Sequence, residues 1–345
     1  MDDRTMKCVL MQHGRYINGS RVPGTCCFNQ TPQSQNIDYN IDSVNCRTCI
    51  DQENNGVKSY RQGANEKYGV EHDHRNVILL DITPNFNCNL ACRICDENSS
   101  STWAKLKKIK IKPDYNLSRQ NFAQLFDNTD LSMVKEINFS GGEPFLNSNI
   151  QHYINCLEDK IDFSKCSLRF STNGTVKLTR ALSKFFDSFQ LVLARFSLDD
   201  IESGHEYQRW PATWTTWLEN WQYFLDHMPH NVMPSINRTV SLLNINRLHL
   251  LDQWHQQYAK TQFNDTIELI DHFAFGTYSL DSLTEPLKQH ILLSHGANSK
   301  SWNYIVNRPT VSNIDLLKNY IQQQDILQGT SLQKFDPELY GILFQ

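Results

Sequence analysis

Six short apolar segments alternate with stretches of helical spacing along residues 77–276. The segments are VILLDITPN (77–85), VKEINFSGGEP (134–144), SLRFSTNGT (167–175), LVLARFSLDD (191–200), NVMPSINRTVSLLN (231–244) and TIELIDHFAFG (266–276). A strand that is followed by a helix and a second strand usually forms a parallel βαβ unit with a right-handed crossover. The order therefore predicts an α/β fold, either a (β/α) barrel or an open doubly wound sheet.

The clearest helical pattern is TWTTWLENWQYFLDHM, at residues 213–228. Its apolar residues recur at spacings of three and four and are Trp214, Trp217, Leu218, Trp221, Phe224, Leu225 and Met228. This spacing places them on one face of a helix. We expect that face to pack against the sheet.

Charge and hydropathy exclude two classes of partner. The 345 residues include 33 Lys and Arg against 37 Asp and Glu, a formal net charge of -4, and no long basic block. Nonspecific binding to nucleic acid through phosphate contacts is therefore not predicted. No secretion signal and no run of about 20 apolar residues is present, so we expect a cytoplasmic protein without membrane contact.

Three of the ten cysteines lie within CNLACRIC, as Cys88, Cys92 and Cys95. In a reducing compartment such cysteines indicate metal ligands rather than disulfides. The C-x3-C-x2-C spacing can wrap three corners of a [4Fe-4S] cluster and leave one iron without a protein ligand. The alternatives are three thiols of unrelated purpose or a structural zinc, whose fourth ligand would be Asp96, His72 or His74.

The next strand ends in NFSGGEP, where two glycines allow a tight turn and a close approach to a ligand. A Gly-Gly turn alone is common. Together with C-x3-C-x2-C one strand earlier, and with STNGT and SLDD at later strand ends, it resembles the radical S-adenosylmethionine (SAM) enzymes over about residues 77–276.

The resemblance implies a partial (β/α)6 TIM-like barrel at residues 76–280 and two cofactors, a [4Fe-4S] cluster and SAM. Cys88, Cys92 and Cys95 would hold the cluster, and SAM would chelate the fourth iron through its amino and carboxylate groups. An electron, supplied by a protein such as a flavodoxin or ferredoxin, would then cleave SAM to a 5′-deoxyadenosyl radical that takes hydrogen from a substrate.

The same resemblance assigns SAM contacts at each strand end. The residues that match the loop at the SAM amino group are Ser140, Gly141, Gly142 and Glu143. Those that match positions near the SAM carboxylate and ribose are Ser171, Asn173, Ser197 and Asp199. Arg209 could pair with the carboxylate or be a solvated surface residue. Ile94 departs from the family, which often has an aromatic residue there that faces the adenine.

Residues 1–72 form a cysteine-rich extension with few periodic apolar positions. The segment resembles the auxiliary-cluster extensions called twitch or SPASM domains, with GRYINGSRVPGTCC as a short hairpin. The residues after the C-x2-C pair that match are Glu53, Gly56, Ser59 and Arg61. The ligands of an auxiliary [4Fe-4S] cluster would be Cys8, Cys26, Cys46 and Cys49, with Cys27 as the alternative to Cys26. Structural zinc and no metal remain open.

For the remaining cysteines and the C-terminal segment we predict structural roles. Cys156 and Cys166 have apolar neighbours, and we expect them to be small buried hydrophobic residues. Residues 281–345 contain helical patterns such as NIDLLKNYIQQQDIL and no motif.

The substrate is less constrained. Enzymes with auxiliary clusters often modify peptides or proteins, which is the leading expectation, and a carbohydrate or nucleotide-linked small molecule is the alternative. Candidate contacts are Asn237, His272 and Tyr278, which could equally be structural. A non-catalytic, zinc-stabilised binding protein is the competing hypothesis. No catalytic side chain is assigned.

Overall fold

The computed structural model describes residues 8–10, 14–18, 46–54, 56, 58–69, 76–110, 117–146, 149–263, 267–274, 276–280, 284–286, 288–289 and 314–344. Within these ranges the strands form one seven-stranded sheet. They are β1 (Gly14–Asn18), β2 (Leu79–Thr83), β3 (Glu136–Phe139), β4 (Ser167–Thr172), β5 (Leu191–Ser197), β6 (Val232–Val240) and β7 (Glu268–Phe273).

Helices connect and flank these strands. They are α1 (Arg47–Asn54), α2 (Tyr60–Tyr68), α3 (Ser101–Leu106), α4 (Arg119–Gln124), α5 (Asn149–Asn155), α6 (Arg180–Ser183), α7 (Glu202–Gln208), α8 (Trp214–His227), α9 (Leu248–Phe263), α10 (Ile314–Gln328), α11 (Leu332–Phe335) and α12 (Pro337–Phe344). Short 3-10 helices lie at Phe163–Lys165, Lys184–Ser188, Ile245–Arg247 and Gly276–Tyr278.

All neighbouring strands are parallel, and their order in the sheet is the order in the chain. A doubly wound sheet reverses its strand order at a switch point, whereas a (β/α) barrel does not. The protein is therefore an α/β protein with a partial barrel, and of the two predicted architectures the barrel is confirmed.

The six predicted strands are present as β2 to β7. The seventh, β1, comes from the cysteine-rich extension and pairs in parallel with β2, from Gly14 opposite Leu79 to Asn18 opposite Thr83. The GRYIN segment therefore joins the barrel sheet, while the rest of the expected hairpin lies outside the described residues. Ile17 is the fully buried apolar side chain of β1. One such residue is too little periodicity to predict from the sequence that this segment joins the barrel sheet.

Alternate residues of the strands face the helices and form the main core. In β5 these are Val192, Ala194 and Phe196, all nearly inaccessible to solvent. Helix α8 covers this region with its tryptophan face, as predicted, and the rings of Phe196 and Trp221 lie 4.8 Å apart. Cys166 is buried in the same core, as expected, whereas Cys156 is half-buried and packs against that core.

Helices α10 to α12 form a second core with the end of β6 and with α7. The helix predicted at NIDLLKNYIQQQDIL is confirmed as α10. Its apolar side buries Leu317 and Ile321. Ile94, from the cysteine loop, packs against this core, so the C-terminal segment lies next to the predicted cluster site. In the part of the chain that the structure describes, no helix combines the length and apolar character needed to span a bilayer.

Candidate functional site

The three clustered cysteines lie in the loop that leaves the carboxyl end of β2. Cys88 and Cys92 are buried, Cys95 is half-buried, and the three belong to one small cluster with Leu90 and Ala212. Burial, reinforced by the neighbouring Cys92, raises the pKa of the Cys88 thiol to about 12. The loop thus gathers soft sulfur ligands away from water, and bound metal would deprotonate them.

Backbone contacts hold this loop against the chain after α7. The amide of Ala91 donates to the carbonyl of Trp210 at 2.7 Å, and the amide of Arg93 donates to that of Gln208 at 2.8 Å. From the other side, the indole Nε1 of Trp103 donates to the carbonyl of Cys92 at 2.8 Å. The cysteine loop is therefore fixed by hydrogen bonds to surrounding elements rather than by a regular structure of its own.

Arg93 lies between the second and third cysteine and is completely buried. Its guanidinium forms an ion pair with Asp325 of α10, at 2.5 Å, and stacks 4.0 Å from the ring centroid of Tyr207. Gln324 adds a hydrogen bond from its side-chain amide to the Arg93 carbonyl, at 3.1 Å. These contacts dock the C-terminal segment onto the cysteine loop, and nothing in the sequence analysis indicated them.

The Gly-Gly turn after β3 lies directly against the cysteine loop. Gly141 has a φ of +131°, and a Cβ there would approach the carbonyl oxygen of Asn85 to 2.7 Å. At Gly142 a Cβ would be 2.2 Å from the carbonyl oxygen of Asn87. Only glycine fits at either position, because both contacts are with backbone. The two glycines therefore allow a close approach to the neighbouring loop, while the expected approach to a ligand stays a prediction.

Glu143 joins the β3 loop to the end of β4. Its carboxylate accepts hydrogen bonds from the amide of Asn173 at 2.7 Å, the hydroxyl of Thr172 at 2.9 Å and the amide of Phe145 at 3.2 Å. Burial raises its pKa to about 7, against the opposing effect of these donors. The carboxylate is thus occupied within the protein.

Asn173 connects the β4 end to the cysteine loop. Its side-chain amide donates to Asn89 Oδ1 at 3.0 Å and approaches the sulfur of Cys88 at 3.8 Å. The predicted cluster ligand, the Gly-Gly-Glu turn and this asparagine therefore form one connected group at the carboxyl edge of the sheet.

Asp199 and Arg209 form a buried ion pair, with 2.9 Å between the guanidinium and the carboxylate. The other carboxylate oxygen of Asp199 accepts from the amide of Thr239 at 2.8 Å. Arg209 lies near the thiols of Cys92 and Cys95, and its Nε, which is buried, has no hydrogen-bond partner among the residues that the structure describes. The reading of Arg209 as a solvated surface residue is therefore wrong, since the side chain is only 8% exposed.

The other predicted SAM contacts lie on or near the inner face of the sheet, the face turned away from the helices. The hydroxyl of Ser140 is 2.7 Å from that of Thr83, and Ser171 and Ser197 are half-buried. Asn237 is buried, and its Oδ1 has no hydrogen-bond partner in the described residues.

The two remaining candidate substrate contacts, His272 and Tyr278, lie in different surroundings. His272 is exposed on β7. Tyr278 is buried in the second core, where its hydroxyl donates to Gln324 Oε1 at 2.5 Å. The structure therefore places Tyr278 in packing between the barrel and α10.

The N-terminal cysteines pack near the start of β2, whereas the cysteine loop follows the end of that strand. Cys8, Cys46 and Cys49 are buried, and the first two share a small core with Leu79. Cys26 and its alternative Cys27 lie outside the described residues, so the proposed auxiliary ligand set is seen in part.

The motif residues after the C-x2-C pair have a structural role. Glu53 accepts hydrogen bonds from Ser59 and Arg61, and Ser59 also caps the start of α2. Gly56 adopts a φ of +71° in the turn between them. These contacts close the connection from α1 to α2.

The residues present fit an iron–sulfur cluster and SAM. The donor set at the β2 loop is three thiols, which iron–sulfur clusters use. The unpartnered atoms Arg209 Nε and Asn237 Oδ1 could take a carboxylate and a hydroxyl or amino group of a ligand. No three His, Cys, Asp or Glu side chains in the described residues are grouped as ligands of a single metal ion would be, and a cluster binds each thiolate at a different iron.

Solved structures that are similar to this chain include native anSMEcpe with bound AdoMet, at 16% identity and a TM-score of 0.43 over 73% of this chain and 67% of that chain. Native anSMEcpe with bound AdoMet and Kp18Cys peptide matches at 17% identity and a TM-score of 0.41, over 74% of this chain and 67% of that chain. Streptococcus suis SuiB bound to S-adenosylmethionine matches at 14% identity and a TM-score of 0.35, over 70% of this chain and 55% of that chain. The comparison with curated proteins finds no match.

The family comparison covers the part of the chain that carries these loops. Residues 82–249 match the family described as the radical SAM superfamily. The match begins in β2, ends in α9 and includes the cysteine loop, the Gly-Gly turn and the Asp199–Arg209 pair. The segment of the chain at residues 82–249 is thus similar to the radical SAM superfamily.

Proposed function

We propose that this protein is a radical SAM enzyme whose cluster is held by Cys88, Cys92 and Cys95. The observation that carries the proposal is the junction of the cysteine loop with the Gly-Gly turn. The amide of Glu143 donates to the carbonyl of Asn87 at 2.8 Å, next to the first cysteine. A structural zinc site would need the thiols and no adjoining ligand-binding edge.

The protein's own groups bind and orient the cosubstrate. Arg209 offers an unpartnered Nε–H to the carboxylate of SAM, while Asp199 holds the guanidinium in place. Ser171, Ser197 and Asn237 present hydroxyl and amide groups on the inner face of the sheet. When bound at these residues, the cluster and SAM would supply reductive cleavage chemistry, in which one electron converts SAM to methionine and a 5′-deoxyadenosyl radical. The barrel around them excludes water and other hydrogen donors.

Three finer assignments belong to this proposal. The N-terminal segment is of the twitch or SPASM type, with a second [4Fe-4S] cluster at Cys8, Cys46, Cys49 and Cys26 or Cys27. The substrate is a peptide or protein, supported by the resemblance of this segment to auxiliary-cluster enzymes that modify peptides. A flavodoxin or ferredoxin supplies the electron, and the protein acts in the cytoplasm.

The test is anaerobic reconstitution with iron and sulfide, followed by addition of SAM and a strong reductant. We expect release of 5′-deoxyadenosine and methionine, and loss of that release when Cys88, Cys92 and Cys95 are all replaced by alanine. Iron and sulfide analysis of the same samples should give about four irons fewer per chain in the triple variant, because one cubane is lost.

Cys166→Ala provides the matched control. Cys166 is a buried thiol in the core, far along the chain from the loop, and its removal should leave iron content and 5′-deoxyadenosine release unchanged. Zinc near one equivalent with little iron would contradict the proposal and favour a zinc-stabilised binding protein. Eight irons per chain would indicate an auxiliary [4Fe-4S] cluster, and four would indicate that the cluster at Cys88, Cys92 and Cys95 is alone.

A further inference from the structure

Arg195 lies on the inner face of the sheet, in the middle of β5. Its neighbours along the strand, Ala194 and Phe196, are buried against the helices, so alternation directs the arginine to the opposite face. In register it is opposite Ser171 on β4 and Ser235 on β6. The side chain is half-buried and is flanked by short hydroxyl side chains on both adjacent strands.

The charge of Arg195 is unmatched among the described residues. Its guanidinium makes no ion pair or hydrogen bond there, whereas other arginines lie within 4 Å of a carboxylate. Those paired arginines are Arg61, Arg93, Arg169, Arg180, Arg209, Arg238 and Arg247.

Nearby carboxylates do not supply the missing partner. Glu136 is occupied by Lys67, Arg169 and the hydroxyl of Tyr68. Glu268, at the start of β7, is exposed. Burial and the positive charge of Arg169 lower the pKa of Arg195, so its cation is held in unfavourable surroundings. Glu136 and Glu268 attract this cation only partly, without an ion pair among the described residues. A half-buried charge of this kind is typical of a binding position, where a ligand relieves the cost.

The position of Arg195 relates it to the cosubstrate residues. Ser197, a predicted SAM contact, is two residues further along β5, or about 7 Å nearer the carboxyl edge. Arg195 therefore lies deeper in the barrel than Ser197 and Asn237 and level with Ser171. A group bound there would place the rest of a substrate molecule between Arg195 and the cosubstrate.

We propose that Arg195 binds an oxyanion of the substrate, either a carboxylate or a phosphate. A guanidinium donates two parallel hydrogen bonds to such a group, and Ser235, opposite Arg195 on β6, has a hydroxyl that could add a further donor. This assignment rests on the proposed function for its substrate, while the anion site itself can be measured without SAM cleavage.

The test is thermal unfolding of the reconstituted protein with added sodium acetate or inorganic phosphate, against sodium chloride at the same ionic strength. A ligand that binds the folded state raises the melting temperature with its concentration. We expect at least one of the two anions to stabilise the wild-type protein. Phosphate acting at lower concentration would indicate a phosphorylated substrate, and acetate a carboxylate.

Arg195→Gln should raise the apparent Kd for the effective anion about tenfold or more, because a charge-assisted hydrogen-bond pair is lost. It should also raise the melting temperature without added anion, since it removes an unpaired cation. Arg195→Lys should retain part of the anion response. Arg180→Gln, which removes an exposed arginine paired with Asp187, should leave the response unchanged.

An anion response that is equal in wild type and Arg195→Gln, or missing from wild type, would overturn the assignment. Release of 5′-deoxyadenosine, measured on the same preparations, reports separately on the proposed function. The two failures are therefore distinguishable.

Discussion

The side-chain amide of Gln328 donates a hydrogen bond of 2.7 Å to the backbone carbonyl of Ala91, a residue 237 positions earlier in the chain. The bond joins the last turn of α10 to the loop that carries the three clustered cysteines. Gln324, one turn earlier, makes the equivalent bond to Arg93. The C-terminal segment, which lies outside the family match, therefore completes the hydrogen bonding of a loop inside it.

Replacing both glutamines by leucine should loosen the cysteine loop. The carbonyls of Ala91 and Arg93 would then be buried without their donors, at about 1–3 kcal/mol each. We expect faster hydrogen exchange of the amides at residues 88–95, measured by mass spectrometry. We also expect faster loss of iron to a chelator after reconstitution.

Gln323→Leu is the matched control for this change. It alters the same helix at an exposed position, next to Gln324, and should leave both exchange and iron loss unchanged. Equal exchange in the double variant and the control would show that α10 does not hold the loop.

Gly142→Ala should disrupt the junction between the Gly-Gly turn and the cysteine loop. The new Cβ would lie 2.2 Å from the carbonyl oxygen of Asn87, so one of the two backbones must move. We expect a loss of about 1–3 kcal/mol in unfolding free energy and weaker SAM binding in equilibrium dialysis.

Gly63→Ala tests whether the loss of stability expected for Gly142→Ala depends on the position of the glycine. Gly63 lies inside α2, and its added Cβ would meet nothing closer than 3.9 Å. Alanine there should raise stability by about 0.5–1 kcal/mol, because glycine is a poor helix former. Wild-type stability and SAM affinity in Gly142→Ala would contradict the tight junction.

Much of the barrel could be predicted because each strand follows a simple rule. An apolar run that ends in small or polar residues gave six strands, and their ends carry Cys88, Gly141, Asn173 and Asp199. The pairing of β1 with the barrel escaped prediction because GRYIN was expected within a hairpin, and its five residues contain a single fully buried apolar side chain.

The contacts that hold the site were harder to predict. Gln324 and Gln328 read as ordinary polar residues of an amphipathic helix, since their partners are backbone carbonyls without a sequence signature. Arg93 is similar, because its burial depends on Asp325 and Tyr207, which are distant in the chain. Glu143 was predicted as a ligand contact from the motif, whereas its side chain is used to join two loops.

Removing Arg209 should expose the cost of a buried, unpaired carboxylate. Arg209→Met leaves Asp199 without its cation, and losses of about 3–5 kcal/mol are typical when one partner of a buried pair is removed. Asp199→Asn combined with Arg209→Met should recover part of that loss, because no charge then remains. Urea unfolding of the two single variants and the double variant gives the coupling energy, and purely additive losses would show that the pair is not coupled.

Asp81 should make stability depend on pH in a defined direction. It is buried on the inner face of β2, and burial raises its pKa to about 6 despite a hydrogen bond from Asn138 and the charge of Arg169. The folded protein therefore binds this proton more tightly than the unfolded chain does. The resulting stability is fully present below about pH 4 and is lost as the pH rises through about 6, with a total of about 3 kcal/mol.

Asp81→Asn removes this titration, so the unfolding free energy of the wild type relative to the variant should fall between pH 4 and 7. Urea unfolding of the metal-free proteins at several pH values measures the difference. Asp130→Asn is the control, since contacts with Ser132 lower the pKa of that exposed carboxyl and any pH effect there has the opposite sign. A constant difference between wild type and Asp81→Asn would mean that Asp81 titrates alike in the folded and unfolded chains. Burial inside the barrel would then carry no cost for its charge.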